Sequence, residues 1–269
     1  MMTDIDAALT LAKTTAIEAG QLIKKMRNEG ALQHQYKDQQ ELVTNADLAA
    51  DKFIIERIKQ VFPNHRFLTE ETCTDKSISH NLDSPIWIVD PIDGTVNYAH
   101  GHQMVAVSIA FACDGDVQCG AVYNPFMDEL FSARKRGGAQ LNNRSIEPSG
   151  ASNLRKALFA TGFPYNKKDL DPILPRVDLM LRHCQDMRRL GSAALDICWV
   201  ACGRLDLYFE SLSPWDFAAA RLIALEAGAK CGHFSEVPNH IPPAIYHQNL
   251  LVSTPELYEQ SRALLTPTA

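Results

Sequence analysis

The 269-residue chain has no run near the ~18 consecutive apolar residues that a membrane-spanning helix requires, so no transmembrane segment is expected. Its first residues, Met1-Met2-Thr3-Asp4-Ile5-Asp6, are acidic and lack the basic and apolar regions of a secretory signal. Cysteine pairs at C-x-x-C spacing are also missing. The seven cysteines are scattered and odd in number, which argues against a zinc site or a disulfide framework. Cys198 and Cys202, four apart on an expected helix, read as two small buried apolar residues. Among nine histidines only His100-x-His102 forms a close pair. With no third ligand nearby it reads as loop rather than a transition-metal site. Excess positive charge is lacking too: the formal net charge is -6, which argues against polyanion binding, so nucleic acid is not an expected partner. No repeat or low-complexity tract interrupts the chain. These absences make a cytoplasmic globular protein of one large or two modest domains the expectation.

In their place the chain has acids set at the ends of short apolar runs. Asp90-Pro91-Ile92-Asp93-Gly94-Thr95 follows Ile86-Trp87-Ile88-Val89, which reads as a buried strand bounded by Pro85 and by the Asp-Pro break. Two carboxylates emerging there, three residues apart, suit a hard divalent cation that takes oxygen ligands and keeps several waters. Gly94 lets backbone N–H groups approach an anion, and a helix starting near Thr95 would direct its positive end at a phosphate. The plain alternative is a strand-ending turn with solvated acids. Glu70-Glu71 follows another strand-like segment, Arg66-Phe67-Leu68-Thr69, and alone reads as a solvated loop. Asp216, in Ser213-Pro214-Trp215-Asp216, falls in the first turn of a helical stretch, where the helix dipole by itself favours an acid.

Around these acids, apolar spacing predicts helices over 4–28 and 45–61, the second with Ala46, Leu48, Ala49, Phe53, Ile54, Ile58 and Val61 on its inner face. Gln33 to Glu41 between them reads as a polar loop. Strand signals follow at 86–89, 105–113, 117–123 and 129–133, with turns at Asp114-Gly115 and Asn142-Asn143. Beyond about residue 150 strands alternate with helices: strands 157–161, 205–209, 230–233 and 249–252, and helices near 171–184, 192–202, 216–227 and from Glu256. The first half is antiparallel-rich and the second is α/β.

The hexapeptide with Val96-Asn97-Tyr98, Glu70-Glu71 and Trp215-Asp216 together resemble the inositol monophosphatase family. Leu42-Val43-Thr44-Asn45-Ala46-Asp47 is similar to the family segment ahead of its second helix. Arg189-Leu190-Gly191-Ser192-Ala193-Ala194 and Tyr208-Phe209-Glu210 are similar to its substrate-side segments. The elements stand in family order from about residue 5 to residue 260, so the resemblance spans essentially the whole chain. It implies a layered α-β-α-β-α sandwich of the sugar-phosphatase type. Residues 1–148 would form the N-terminal half with most metal ligands, and residues 149–269 the C-terminal half with Asp216 and the substrate-side residues, in one cooperative unit. A homodimer and sensitivity to lithium are also implied.

Phosphate monoesters resist hydrolysis because negative charge repels the nucleophile and the alkoxide leaves poorly. Two divalent ions ~3.5–4 Å apart answer both difficulties. The resemblance implies two to three Mg2+ per site: Asp90 bridging, Glu70 and the Ile92 carbonyl completing one position, Asp93 and Asp216 holding another, and a weaker ion near Glu70. Thr95 would bind phosphate through its N–H, beside Gly94, and relay a proton through its hydroxyl to Asp47, so that Thr95, Asp47 and Glu70 carry the catalysis. A local reading of Asp47 stands beside this, since Thr44-x-x-Asp47 matches a capping box. Asp93, Ala193, Glu210 and Asp216 would surround the alcohol half of the ester. The expected partner is therefore a small phosphorylated polyol, with inositol 1-phosphate first.

Three departures from the family pattern stand out. Glu41 replaces a usual Asp, Thr69 a frequent Gly, and the segment between Glu210 and Trp215 is one residue shorter, which bears on the substrate rather than the reaction. Alternatives within the family are histidinol phosphate, fructose 1,6-bisphosphate or adenosine 3′,5′-bisphosphate as substrate. An aspartyl-phosphate mechanism fits less well, because it uses Asp-x-Asp rather than Asp90-x-x-Asp93. A regulatory binding protein on the same fold is the alternative of another class. Arg182, Arg188 and Arg189 are read as a surface or subunit contact.

Overall fold

The structure, a computed structural model, describes residues 4–30, 34–37, 41–72 and 82–266. Helix α1 (Ile5–Asn28) starts where the Asp4 carboxylate accepts hydrogen bonds from the Asp6 and Ala7 N–H groups, and it buries Ala8, Leu11, Ala12, Ala16, Ala19 and Ile23 along one stripe. Strands β1 (His34–Lys37) and β2 (Glu41–Thr44) follow as an antiparallel pair. This corrects the loop expected from Gln33 to Glu41 at residues 34–37 and at Glu41, while Gln33 and residues 38–40 lie outside the described residues. Helix α2 (Asn45–Val61) buries Ala46, Ala50, Ile54 and Ile58, an i, i+4 stripe. Leu48 and Val61, expected on that inner face, lie round the helix from the stripe and are exposed.

A seven-stranded sheet comes next, in the order β3 (Arg66–Thr69), β4 (Ile86–Asp93), β5 (Ala106–Cys113), β6 (Asp116–Asn124), β7 (Glu129–Arg134), β8 (Ala139–Leu141) and β9 (Arg144–Ser145). Apart from the parallel β3–β4 pair, its neighbours run antiparallel. Asp114-Gly115 and Asn142-Asn143 turn its hairpins with positive φ at both residues or in the paired Asn, as expected for tight turns. All eight residues of β4 and of β5 are buried, because helices cover both faces. Strand β4 does not stop at the Asp-Pro break. It continues to Asp93, and the register against β5 shifts between Asp90 and Asp93. Pro91, which has no N–H to give the ladder, sits inside that irregularity.

The second sheet has five strands in the order β11 (Asp186–Arg188), β10 (Leu158–Thr161), β12 (Leu207–Glu210), β14 (Leu250–Ser253) and β13 (Lys230–His233). Strand β10 is parallel to β11 and β12, while β14 is antiparallel to β12 and β13. Helices α5 (Ala193–Ala201) and α6 (Pro214–Ala227) lie between the two sheets. Helices α4 (Leu174–His183) and α7 (Pro255–Leu265) cover the outer face of the second. Three apolar clusters fill the interfaces between these layers, giving the α-β-α-β-α sandwich. Helix α6 meets β6 closely: a Cβ at Gly120 would stand 2.9 Å from Ala219 Cα. In α5, Cys198 is buried, but Cys202 caps the helix and is only half-buried, and the six described cysteines are free. No helix among the described residues is long and apolar enough to cross a membrane.

Candidate active site

The carboxyl ends of β3, β4, β10 and β12 and the amino ends of α5 and α6 meet at one cleft of about 790 Å3. Glu70, Asp90, Ile92, Asp93, Gly94, Thr95, Ala193, Glu210 and Asp216 all line it. Asp47 does not line it but stands directly behind Thr95. Short helix α3 (Thr95–Ala99) leaves the cleft from Gly94, whose φ is +94°. A Cβ there would lie 2.8 Å from the Met104 carbonyl oxygen and 3.0 Å from that of Gly191, so glycine is required for both conformation and space. The Asn97 amide donates to the Met104 and Leu190 carbonyls at 2.8 and 2.7 Å, tying this turn to the segment before α5.

The Asp47 carboxylate serves two neighbours at once. Oδ2 accepts from Thr44 N at 2.8 Å and Thr44 Oγ1 at 2.5 Å, which completes a capping box on α2. Oδ1 accepts from Thr95 Oγ1 at 3.1 Å, and the same hydroxyl lies 3.1 Å from the Ile92 carbonyl oxygen. The local reading and the site reading of Asp47 therefore coexist. Burial pushes its carboxyl above the usual range, against the pull of the Thr44 and Thr95 hydrogen bonds.

Burial, then the Glu70, Asp93 and Asp216 charges, hold Asp90 well above the ordinary carboxylate value. Burial and Asp93 do the same to Asp216, whose Oδ2 accepts from Ser213 N at 2.8 Å in the capping box of α6. Asp90 Oδ1 also accepts from Ile92 N at 2.9 Å. Asp93 is raised by burial to about 6, although Ser192 Oγ at 2.5 Å and Ala194 N at 2.7 Å donate to its Oδ2 and Ala193 N at 3.2 Å to its Oδ1. Glu210 is raised by burial to about 7, with the Tyr208 hydroxyl donating to it and Arg189 opposing the shift.

Acids so placed suit a hard cation in donor type: Glu70, Asp90, Asp93 and Asp216 supply carboxylates and Ile92 a carbonyl, all oxygen. Arg189 is the one arginine or lysine among the described residues that line the cleft, so the acids outnumber positive charge there. No three of the described acids already gather round a common point. Asp93 instead accepts from the first N–H groups of α5, and Asp216 from Ser213 N at the start of α6. Burial among other acids favours the protonated carboxyls, and a cation would take the place of those protons, so the donor set fits.

Arg189, Ser192 and Tyr208 belong to the substrate-side segments of the sequence, which assigned them no individual site role, and Asp196 has no place in the sequence reading. Arg189, grouped by the sequence with Arg182 and Arg188 as a surface contact, is exposed and also lines the cleft, with its guanidinium 5.7 Å from the Phe163 ring centre. Arg182 and Arg188 do lie on the surface, paired with Asp178 and Asp186. Ser192 and Tyr208 position Asp93 and Glu210 through hydrogen bonds. Asp196, on α5, is buried and lines the same cleft. Its signal was an acid inside a helix that is apolar on every side.

This two-sheet sandwich, with a buried acid cleft at its strand ends, defines the phosphatase class that the sequence resembles. The sequence model of the inositol monophosphatase family matches residues 4–266, and the chain belongs to that family. It is 42% identical over 230 residues to inositol monophosphatase 2 of Solanum lycopersicum, covering 83% of this chain and 84% of that protein. It is 38% identical over 251 residues to the Nus factor SuhB of Vibrio cholerae, covering 92% and 91%. Among solved structures, the extragenic suppressor protein suhB of Bartonella henselae superposes with a TM-score of 0.87 at 30% identity over 98% of this chain and 100% of the other. An inositol monophosphatase from Anabaena gives 0.82 at 32% identity, over 98% and 96%. Membership supports phosphatase chemistry in a family that is generally metal-dependent.

Proposed function

We propose that this protein is a Mg2+-dependent phosphomonoesterase that hydrolyses inositol 1-phosphate and similar polyol monophosphates by in-line attack of an activated water. The reading adds that it is a cytoplasmic homodimer inhibited by Li+. One observation carries the hydrolytic part: Glu70, Asp90, Asp93 and Asp216 crowd one cleft wall while Thr95 hydrogen-bonds to Asp47 behind it. Two to three Mg2+ would be held by Glu70, Asp90, Ile92, Asp93 and Asp216. The chemistry they supply when bound is acidification of water and neutralisation of charge on the phosphate and departing oxygen.

The chain's own residues handle the proton and the alcohol. Thr95 Oγ1 has one proton to donate, toward Asp47 Oδ1 or the Ile92 carbonyl, and so keeps lone pairs for a proton from the attacking water. Asp47, already raised by burial, takes the threonine proton. Gly94 and the Thr95 N–H form the phosphate side. On the alcohol side Ala193 leaves room for a ring, while Glu210 and Asp216 accept hydroxyl hydrogen bonds. Acids outnumber Arg189 there, so a second phosphate is repelled. The testing experiment is a kcat/KM panel of inositol 1-phosphate, glycerol 2-phosphate, histidinol phosphate, fructose 1,6-bisphosphate and adenosine 3′,5′-bisphosphate, with Mg2+ or EDTA. Inositol 1-phosphate should lead, and preference for either bisphosphate overturns the substrate. Similarity to a protein named a Nus factor favours a second reading, a regulatory binding role on the same fold. Absence of Mg2+-dependent phosphate release from every ester would leave that reading in its place.

A further inference from the structure

We infer that Asp196 is a further specificity-determining residue of this cleft, accepting a hydrogen bond from a hydroxyl on the alcohol half of the ester. The inference rests on the phosphatase reading and adds a residue to it. Asp196 stands on α5 four residues past Ser192, the N-cap whose hydroxyl holds Asp93. Ala194, Leu195, Ile197, Cys198, Val200 and Ala201 of the same helix are all buried, so every face of α5 is inside and Asp196 is carried in with them at 2% exposure. It nevertheless lines the cleft, and its Oδ1 has no hydrogen-bond donor among the described residues.

Burial, with Asp93 and Glu210 beside it, pushes the Asp196 carboxyl well above the usual range, and a buried carboxyl oxygen left without a donor is disfavoured in the folded chain. Apolar residues of similar bulk would be more favourable there if α5 served packing alone. The groups that face Asp196 narrow what can satisfy it. Asp93 and Glu210 present negative charge, Arg189 presents positive charge, and the Tyr208 hydroxyl, also near, is already donated to Glu210. The two acids exclude a phosphate or carboxylate on that part of the ligand, and Arg189 disfavours an ammonium. A neutral hydroxyl donates without adding charge. A site built to receive a substrate hydroxyl discriminates strongly against the analogue that lacks it, because its own polar atom is then left unpaired.

The test is a substrate–protein cycle: kcat/KM in Mg2+ for inositol 1-phosphate and its singly deoxygenated analogues, on wild type, Asp196→Ala and Asp196→Leu, with melting temperatures measured alongside. The wild type should lose about tenfold or more on one deoxy analogue. Both variants should lose a similar factor on the parent ester and no longer distinguish that analogue. They should also melt at or above the wild-type temperature, because an unpartnered buried acid has been removed. Indifference of the wild type to every deoxy position, or unchanged discrimination in the variants, overturns the inference. Failure of both variants to fold makes Asp196 structural and overturns it too. Lack of wild-type turnover on any monoester brings down the phosphatase reading itself, whereas turnover with unaltered discrimination removes Asp196 alone.

Discussion

One carboxylate, Asp47, joins helix α2 to Thr95, so stability and proton handling can be separated by choosing the substitution. Asp47→Asn keeps an oxygen for the Thr44 hydrogen bonds and loses basicity, while Asp47→Ala loses both. We expect Asp47→Asn and Thr95→Ala each to lower kcat by about 10²-fold or more with little change in KM, since they touch proton transfer rather than ester binding. The double variant should be little worse than either single one, and Asp47→Ala should melt lower than Asp47→Asn. Steady-state kinetics check this, and additive losses would assign the two residues separate tasks. Asp90 calls for a different expectation, because it sits among Glu70, Asp93 and Asp216. Asp90→Asn keeps the shape and needs no proton to be buried among acids, so the metal-free protein should melt higher at neutral pH while Mg2+-dependent turnover collapses. Wild-type turnover by Asp90→Asn at moderate Mg2+ would remove Asp90 from the proposed centre.

Among the elements, the turn from β4 into α3 fixes the site most tightly. Gly94 combines φ of +94° with backbone oxygens 2.8 and 3.0 Å from any added Cβ, whereas Gly101, at φ +81°, has open space around it. Gly94→Ala should therefore destabilise by more than the about 1–2 kcal/mol that left-handed backbone alone costs an L-residue, and Gly101→Ala by no more than that. Denaturant midpoints of the two variants measure the difference, and equal shifts would show that the close approach is relieved cheaply. The same turn shows what the sequence could carry. The acids, Gly94 and Thr95 were legible because a buried apolar run led straight into them. The continuation of β4 through Asp90 to Asp93 was not, because a proline normally ends a ladder and only the partner strand reveals the shifted register. Strand β11, three residues of Asp-Met-Arg, and the β1–β2 pair lack alternation, and they exist through their pairing partners rather than their own pattern. Arg189 is exposed, as its basic neighbours suggest; that it also borders the cleft beside the Phe163 ring is a tertiary fact.

At the scale of the whole molecule, helices α5 and α6 pack against both sheets and also present Asp93's donors and Asp216 to the cleft. We propose on that ground that the halves divided near residue 148 unfold as one unit, with the acid cleft as the shared weak point. Burial raises Asp93 to about 6 and Glu210 to about 7, above ordinary values of 3.8 and 4.5. For an acid raised in this way the folded state binds more protons than the unfolded one. Its contribution is fully present below the unfolded value and is lost as pH rises through the folded value. In the metal-free protein these two groups therefore subtract stability between about pH 4 and pH 7. Mg2+ competes with the proton on Asp93, so its stabilising effect should be small near pH 5 and grow toward pH 7. Thermal melts across that range, with Mg2+ and with EDTA, should show one transition whose metal-dependent shift widens with pH. Two separate transitions at neutral pH would divide the halves, and a melting temperature indifferent to Mg2+ at pH 7 would leave the crowded acids without the cation that best accounts for their burial.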